Sequence, residues 1–178
     1  MRKSKNVDVF DDLIRQYQGD LYRHALWMTG STEVAQDVVQ ETFFQAWSAI
    51  NTLKQKDKAL PWLLTILRRQ VYKEQRHQYR QREALEQVSL FGEDSHHPDA
   101  QALIMLYGTL ERISAKHRDV FLLHHLHGFS YDEISEQLQI PTGTVMSRLS
   151  RARQALQQIE LNSEHDNVVL IDDVIRGK

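Results

Sequence analysis

The chain has 178 residues, 41% of them hydrophobic, and its 22 lysines and arginines against 24 acids leave a formal charge of −2. That length gives one medium domain or two small ones of ordinary soluble composition. The absence of cysteine excludes disulfides, thiolate zinc sites and cysteine nucleophiles together, while no run of about 18 apolar residues offers a membrane span and the basic start "MRKSKNVDVF" lacks the apolar stretch of a signal peptide, so a cytoplasmic protein without membrane insertion is expected.

Seven glycines and three prolines are few, and apolar residues recur at spacings of three and four, which predicts an all-α fold. The first helix spans about Val9 to Thr29, with Phe10, Leu13, Ile14, Tyr17, Leu21, Ala25 and Met28 on one stripe. Gly30 stops it. Ser31 and Thr32 offer an N-cap for a second helix, "EVAQDVVQETFFQAWSAI". Val34, Val38, Phe43 or Phe44, Trp47 and Ile50 are expected inside. Residues 51–58, "NTLKQKDK", read as a polar loop. Pro61 suits the first turn of a third helix that is apolar at Trp62, Leu63, Leu64, Ile66 and Leu67 and basic beyond. Periodicity is lost around "FGEDSHHPD", which marks 83–99 as a linker. Helices are then expected over 100–113, over 115–128 with a stop at Gly128, over 131–138 behind a Ser130/Glu133 capping box, and over about 143–158. The acidic tail 161–178 reads as a short helix or as disordered chain.

The small net charge hides two poles. Residues 8–41 hold seven acids against two bases, a net of −5, and residues 68–82 hold six bases against one acid, a net of +5. A basic helix suggests a polyanion, and an acidic surface suggests a basic protein partner.

Helices 131–138 and 143–158, joined by a turn of about four residues carrying Pro141, have the dimensions of a helix-turn-helix. Val145, Leu149, Ala152 and Leu156 form one inward stripe. Thr144, Ser147, Arg148 and Arg151 fall opposite, with Met146 and Ser150 at the edges and Arg153 further along. The N-terminal part of such a second helix lies in the major groove, where arginine reads guanine, serine either base, and a methyl-bearing side chain touches thymine. Thr142, as N-cap, would leave amides for a phosphate.

The stretch "LLHHLHGFSYDEISEQLQIPTGTVMSRLSRARQAL" closely resembles region 4 of the extracytoplasmic-function sigma factors of bacterial RNA polymerase. "GDLYRHALWMTGSTEVAQDVVQETFFQAWSAI" resembles their region 2, with Asp37, Gln40, Glu41 and Phe43 in its Asp-x-x-Gln-Glu-x-Phe pattern. "PWLLTILRRQVYKEQR" is similar to the Trp-Leu-x-x-Ile helix that follows. The resemblance implies region 2 over 8–82, the linker 83–99 and region 4 over 100–160. It implies a promoter-recognition subunit that binds core RNA polymerase, reads the −35 element with region 4 and the −10 element with region 2, and assists strand opening, without enzymatic activity or cofactor. Asp37, Gln40, Glu41 and Phe44 would dock on the clamp helices of the largest polymerase subunit, and region 4 on the flap. Thr142, Thr144, Met146, Ser147, Arg148, Ser150, Arg151 and Arg153 would meet the −35 element. Arg68, Arg69, Lys73 and Arg76 would meet phosphates near −10, and the loop with Asn51, Lys54, Lys56 and Lys58 would hold a flipped non-template base. An anti-sigma factor is the implied regulator. Where Ala-Arg-Asn is usual the chain has Leu67, Arg68 and Arg69, so it departs from the family pattern at Leu67 and Arg69; it departs also at Lys73, where aspartate is common, and at Ser135, a small-for-small exchange expected to be harmless.

Other groupings carry less. His124 and His127 share a helix face beside His125, but no further ligand accompanies them, so no metal site is expected; their protonation would instead raise the charge beside DNA. Asp37 and Glu41 lie one turn apart with no nucleophile or phosphate loop, so acid–base catalysis is not expected. Trp27, Trp47 and Trp62 are expected in the core, and Tyr72 and Tyr79, among the arginines, against opened strand. Two rival readings remain: a stand-alone helix-turn-helix regulator, which needs a dimer and leaves the region-2 pattern unexplained, and a protein–protein adaptor, which leaves the basic helix unexplained. A steep salt dependence of duplex binding separates adaptor from DNA binder.

Overall fold

A computed structural model describes residues 2–84, 110 and 113–161, and every element among them is helical. The expected helix 100–113, apart from Leu110 and Ile113, most of the linker and all but the first residue of the tail lie outside the described residues. The chain divides into two compact units, Met1–Leu90 and Phe91–Lys178.

The first unit is a three-helix bundle of α1 (Arg2–Thr29), α2 (Thr32–Ala49) and α3 (Ala59–Ala84), in which each helix packs on both others. α1 begins well before the expected Val9. Its stripe is as expected: Leu13, Leu21, Ala25 and Met28 are buried, with Phe10, Ile14 and Tyr17 half-buried. Gly30 closes α1 at φ 73°, a left-handed conformation that glycine adopts without a Cβ penalty. Ser31 then caps α2, its hydroxyl accepting the Val34 amide at 3.3 Å. The Gln75 side chain of α3 donates to the Met28 carbonyl at 3.0 Å, supplying a partner for the end of α1 from another helix. Between α2 and α3 the loop makes two short 3₁₀ turns, Ile50–Thr52 and Lys56–Lys58. Trp62 ties it down by donating to the Thr52 hydroxyl at 3.2 Å.

The interior of α2 differs from expectation. Its buried residues are Ala35, Val38, Val39, Thr42 and Ala46, and Thr42 enters the core because its hydroxyl donates to the Val38 carbonyl at 2.7 Å. Phe43 is half-buried, Phe44 is 69% exposed and Trp47 is 41% exposed. The core placement of Trp47 is therefore corrected: small residues occupy the arc nearest the other helices, and the large aromatics stand at the rim. There Phe10 meets Trp47 and Phe43 edge-on, with ring centroids 5.0 and 6.1 Å away. Trp27 is buried, and Trp62 is half-buried against the core.

The second unit contains α4 (Ala115–His125), α5 (Tyr131–Leu138) and α6 (Thr142–Leu161), with α6 packed on both others. Leu110, Ile113, Val120, Phe121, Leu122, Leu123, Ile134, Val145, Leu149, Ala152 and Leu156 are buried. Gly128 ends α4 at φ 71°, and His124 Nδ1 donates to the Phe129 carbonyl at 2.8 Å across that bend. The capping box of α5 is complete: the Glu133 amide reaches Ser130 Oγ at 3.3 Å, and the Glu133 carboxylate accepts the Ser130 amide at 2.8 Å. Ser130→Ala removes the cap and is expected to destabilise this unit by about 1 kcal/mol, with Ser130→Asp recovering most of the loss. Urea unfolding followed by circular dichroism measures both, and equal midpoints for wild type and alanine variant would refute the cap's contribution.

The turn between α5 and α6 is three residues, Gln139–Pro141. Gln139 takes a left-handed conformation, φ 52°. Ser135 Oγ donates to the Ile140 carbonyl at 2.7 Å, so the hydroxyl that departs from the family's alanine ties the turn to α5. Thr142 is not the N-cap. It is the first helical residue, the Pro141 carbonyl accepts the Thr144 and Val145 amides, and Thr142 Oγ1 donates instead to Asp132 at 3.3 Å. Proline pre-sets the chain for helix entry, so the cap position moves one residue back.

Candidate functional site

Three surfaces collect the expected site residues. The first is the outer face of α2. Asp37, Gln40, Glu41 and Phe44 follow the i, i+3, i+4, i+7 spacing of one helix face, and all four are exposed. Gln45 donates to Glu41 Oε1 at 2.8 Å and steadies that carboxylate. Arg23, a base of the acidic segment, is turned onto Asp20 at 2.6 Å. Trp47, three residues beyond Phe44, extends the face with a second exposed aromatic ring. Its spacing from Phe44 was the sequence signal for this, overlooked because tryptophan was assigned to the core. The result is an acidic helix face ending in two exposed aromatics, the composition of a protein-docking surface with apolar anchors.

The second surface is the α2–α3 loop with the basic half of α3. Asn51, Lys54, Lys56 and Lys58 are all exposed. Asn51 Oδ1 accepts from Asn6 at 3.3 Å, which joins the loop to α1. An open cavity of about 350 Å³ lies along α1, which contributes Val9, Asp12, Leu13, Arg15 and Gln16, with Lys56 the one lining residue from the loop. Along α3, Arg69, Lys73 and Arg76 are exposed and Arg68 is half-buried. Arg68 lies over the Tyr72 ring at 5.9 Å, and Arg76 Nε donates to the Tyr72 carbonyl at 3.2 Å. Tyr79 is 64% exposed among the bases. Leu67, where the family has alanine, is fully buried, so this departure is absorbed by the core. The departures Arg69 and Lys73 are at the surface, where they add positive charge.

The third surface is α6. Val145, Leu149, Ala152 and Leu156 are at most 4% exposed, the full inward stripe expected. Met146, Ser147, Ser150, Arg151 and Arg153 are exposed, while Thr142, Thr144 and Arg148 are half-buried. Arg148 therefore stands on the flank of the helix, beside α4, rather than opposite the stripe. Ser147 Oγ donates to the Thr144 carbonyl at 3.0 Å. One residue missed by sequence reading, His117 in the first turn of α4, belongs here. Burial, then Lys116, Arg151 and Arg148, hold its pKa below the usual 6.5. No sequence pattern points to it, because its neighbours arrive from a helix some thirty residues later.

This geometry has counterparts among known proteins. A family model described as Sigma-70 region 2 matches residues 13–81, and one described as Sigma-70, region 4 matches residues 103–156. The extracytoplasmic-function RNA polymerase sigma factor SigL of Mycobacterium tuberculosis is 33% identical over 153 residues, covering 82% of this chain and 85% of the relative. SigW of Bacillus subtilis is 29% identical over 170 residues, covering 88% and 91%. The solved structure of the sigma factor RpoE in complex with the anti-sigma factor NepR, from Bartonella quintana, matches with a TM-score of 0.70 and 26% identity, covering 86% of this chain and 98% of that one. CnrH in complex with the cytosolic domain of CnrY matches in fold, with a TM-score of 0.65 and 23% identity over 86% and 89% of the two chains.

Proposed function

The chain belongs to the extracytoplasmic-function sigma factors of the sigma-70 family, and from that membership we propose that it binds core RNA polymerase, recognises the −35 and −10 elements of promoters and promotes strand opening to initiate transcription. It acts by binding and positioning, in the cytoplasm, with catalysis left to the polymerase. Residues 8–82 serve as region 2 and 100–160 as region 4, with 83–99 as the linker between them. The observation that carries the reading is the division of α6 into a buried apolar stripe and a polar face with no acid between Thr142 and Arg153, behind a three-residue turn.

Each surface has its role. Asp37, Gln40, Glu41 and Phe44 dock on the clamp helices of the largest polymerase subunit, and Trp47 widens that contact; the second unit meets the flap. Thr144, Met146, Ser147, Ser150 and Arg151 face the −35 duplex. Thr142, Arg148 and Arg153 lie at its borders, near phosphates. Arg68, Arg69, Lys73 and Arg76 meet phosphates near −10. The loop 51–58 holds a flipped non-template base. An unstacked base costs a few kcal/mol and needs a shaped, positively charged receptor. The complex of RpoE with NepR supports control of this chain by an anti-sigma factor.

Transcription in vitro tests the reading: purified core polymerase is given a pool of promoter fragments with and without this chain. Specific transcripts are expected only when both proteins are present. If core polymerase neither binds the chain nor initiates with it, the reading fails.

A further inference from the structure

Loop 51–58 carries three lysines, and Leu53 is its one apolar residue, so burial alone gives its backbone little reason to hold one shape. The structure ties its first half to all three helices of the first unit. Asn6 of α1 donates to Asn51 Oδ1 at 3.3 Å. The turns of α1 ahead of the expected Val9 are what bring Asn6 to the loop. The Thr52 hydroxyl donates to the carbonyl of Ala49, the last residue of α2, at 2.7 Å, and accepts from Trp62 Nε1 of α3 at 3.2 Å. A hydroxyl has one proton to give and lone pairs to receive, so Thr52 makes both bonds at once. It thereby fills an end-of-helix carbonyl of α2 and fixes the indole. Leu53 packs on the buried cluster of Leu13, Ile50 and Ala59, which Trp62 also covers. Ile50 and Ala59 flank the loop, so both of its ends are held in one cluster. Residues 54–58 are all exposed, and Lys54, Lys56 and Lys58 stand on this anchored base.

We infer that Asn6, Thr52 and Trp62 are positioning residues for promoter opening: their hydrogen bonds hold the loop, before DNA arrives, in the shape that receives the non-template strand. This rests on the reading that loop 51–58 meets that strand. Binding to a loop already in shape carries no ordering cost. A loop that holds the shape for only a fraction of the time binds weaker by that fraction, although every DNA contact is kept. The three residues therefore act through the loop's lysines and Asn51 and need no DNA contact of their own. Their loss falls on strand opening, the step that uses the loop. Capture of core polymerase through α2 and duplex binding through α6 use other surfaces and are spared.

The test uses holoenzyme assembled from the full chain and core polymerase, on a promoter fragment recovered from the transcription pool, with permanganate reactivity of unpaired thymines reading strand opening over time. Thr52→Val keeps the side-chain shape and removes the hydroxyl, and is expected to slow opening about three- to tenfold. Thr52→Ser restores the hydroxyl and is expected to open at the wild-type rate. Trp62→Phe lacks the indole donor and is expected to slow opening by a similar factor, and the two factors are expected not to multiply in the double variant, because one bond is shared. Asn6→Ala acts through a separate bond, so its factor is expected to multiply with that of Thr52→Val. For the Thr52 and Asn6 variants, core capture and binding to closed duplex are expected to stay within about twofold of wild type. Hydrogen exchange of the free chain reads the loop directly: the Leu53 amide, bonded to the Ile50 carbonyl at 3.2 Å, is expected to exchange faster in Thr52→Val than in wild type or Thr52→Ser. Opening at the wild-type rate in Thr52→Val overturns the positioning role. If the Leu53 amide is loosened in that variant, the fault lies in the reading that the loop meets the strand; if it is not, the hydrogen bonds do not shape the loop. A Thr52→Ser variant as slow as Thr52→Val also overturns the role, because the hydroxyl would then not be the cause.

Discussion

Asp37→Lys combined with Glu41→Lys is expected to abolish capture of core RNA polymerase while leaving the fold intact. Both carboxylates are exposed on the outer face of α2, away from the buried arc of Ala35, Val38, Val39, Thr42 and Ala46. The one bond lost inside the chain is the surface contact of Glu41 with Gln45, so the stability change should stay within about 0.5 kcal/mol. At an interface the same exchange places like charges together, which costs several kcal/mol. Two such reversals are expected to lower affinity more than about a thousandfold. Phe44→Ala removes a 69% exposed ring of the kind that anchors interfaces, and alone is expected to weaken binding about 10- to 100-fold. A fluorescence titration of labelled chain with core polymerase measures each variant, with a thermal melt as control. Unchanged affinity of the double variant, with an unchanged melt, would remove α2 from the polymerase contact.

How much of this was legible beforehand follows from what periodicity encodes. Helical spacing fixes the phase of a buried face, and for α6 phase was enough: Val145, Leu149, Ala152 and Leu156 are the buried stripe that the spacing gives. The capping box of α5 was also legible, because both its partners lie within four residues. Spacing does not give the width of a buried face or the distance of closest approach. α2 lies between two helices, and close approach selects alanine and threonine for its centre, so weighting large apolar residues placed Trp47 inside. Thr142 was misassigned because Pro141 offers a carbonyl where a side-chain cap was sought. Arg148 and His117 were beyond sequence reading for a further reason. Their environment is tertiary, the packing of α4 against α6, and no local pattern reports which cations that packing gathers.

Arg148→Ala with Arg151→Ala is expected to remove promoter-specific transcription while leaving polymerase capture unchanged. Truncating an arginine that contacts a phosphate or a base costs about 1–3 kcal/mol, so the pair together should weaken duplex affinity between about thirtyfold and about twenty-thousandfold. The two kinds of contact leave different traces. If the arginines hold phosphates, the loss is uniform across promoter sequences and the logarithmic salt slope falls by nearly two. Sequence preference then survives, because it is read by the residues furthest from the core, Met146, Ser147 and Ser150. Arginines reading guanine would instead relax preference at particular base pairs and leave the salt slope nearly unchanged. The double variant also removes two of the cations that keep His117 neutral, so the His117 pKa in the free chain is expected to rise. Nuclear magnetic resonance titration of the imidazole resonances reads that change directly. A His117 pKa unmoved by loss of both arginines would show that they do not act on the ring.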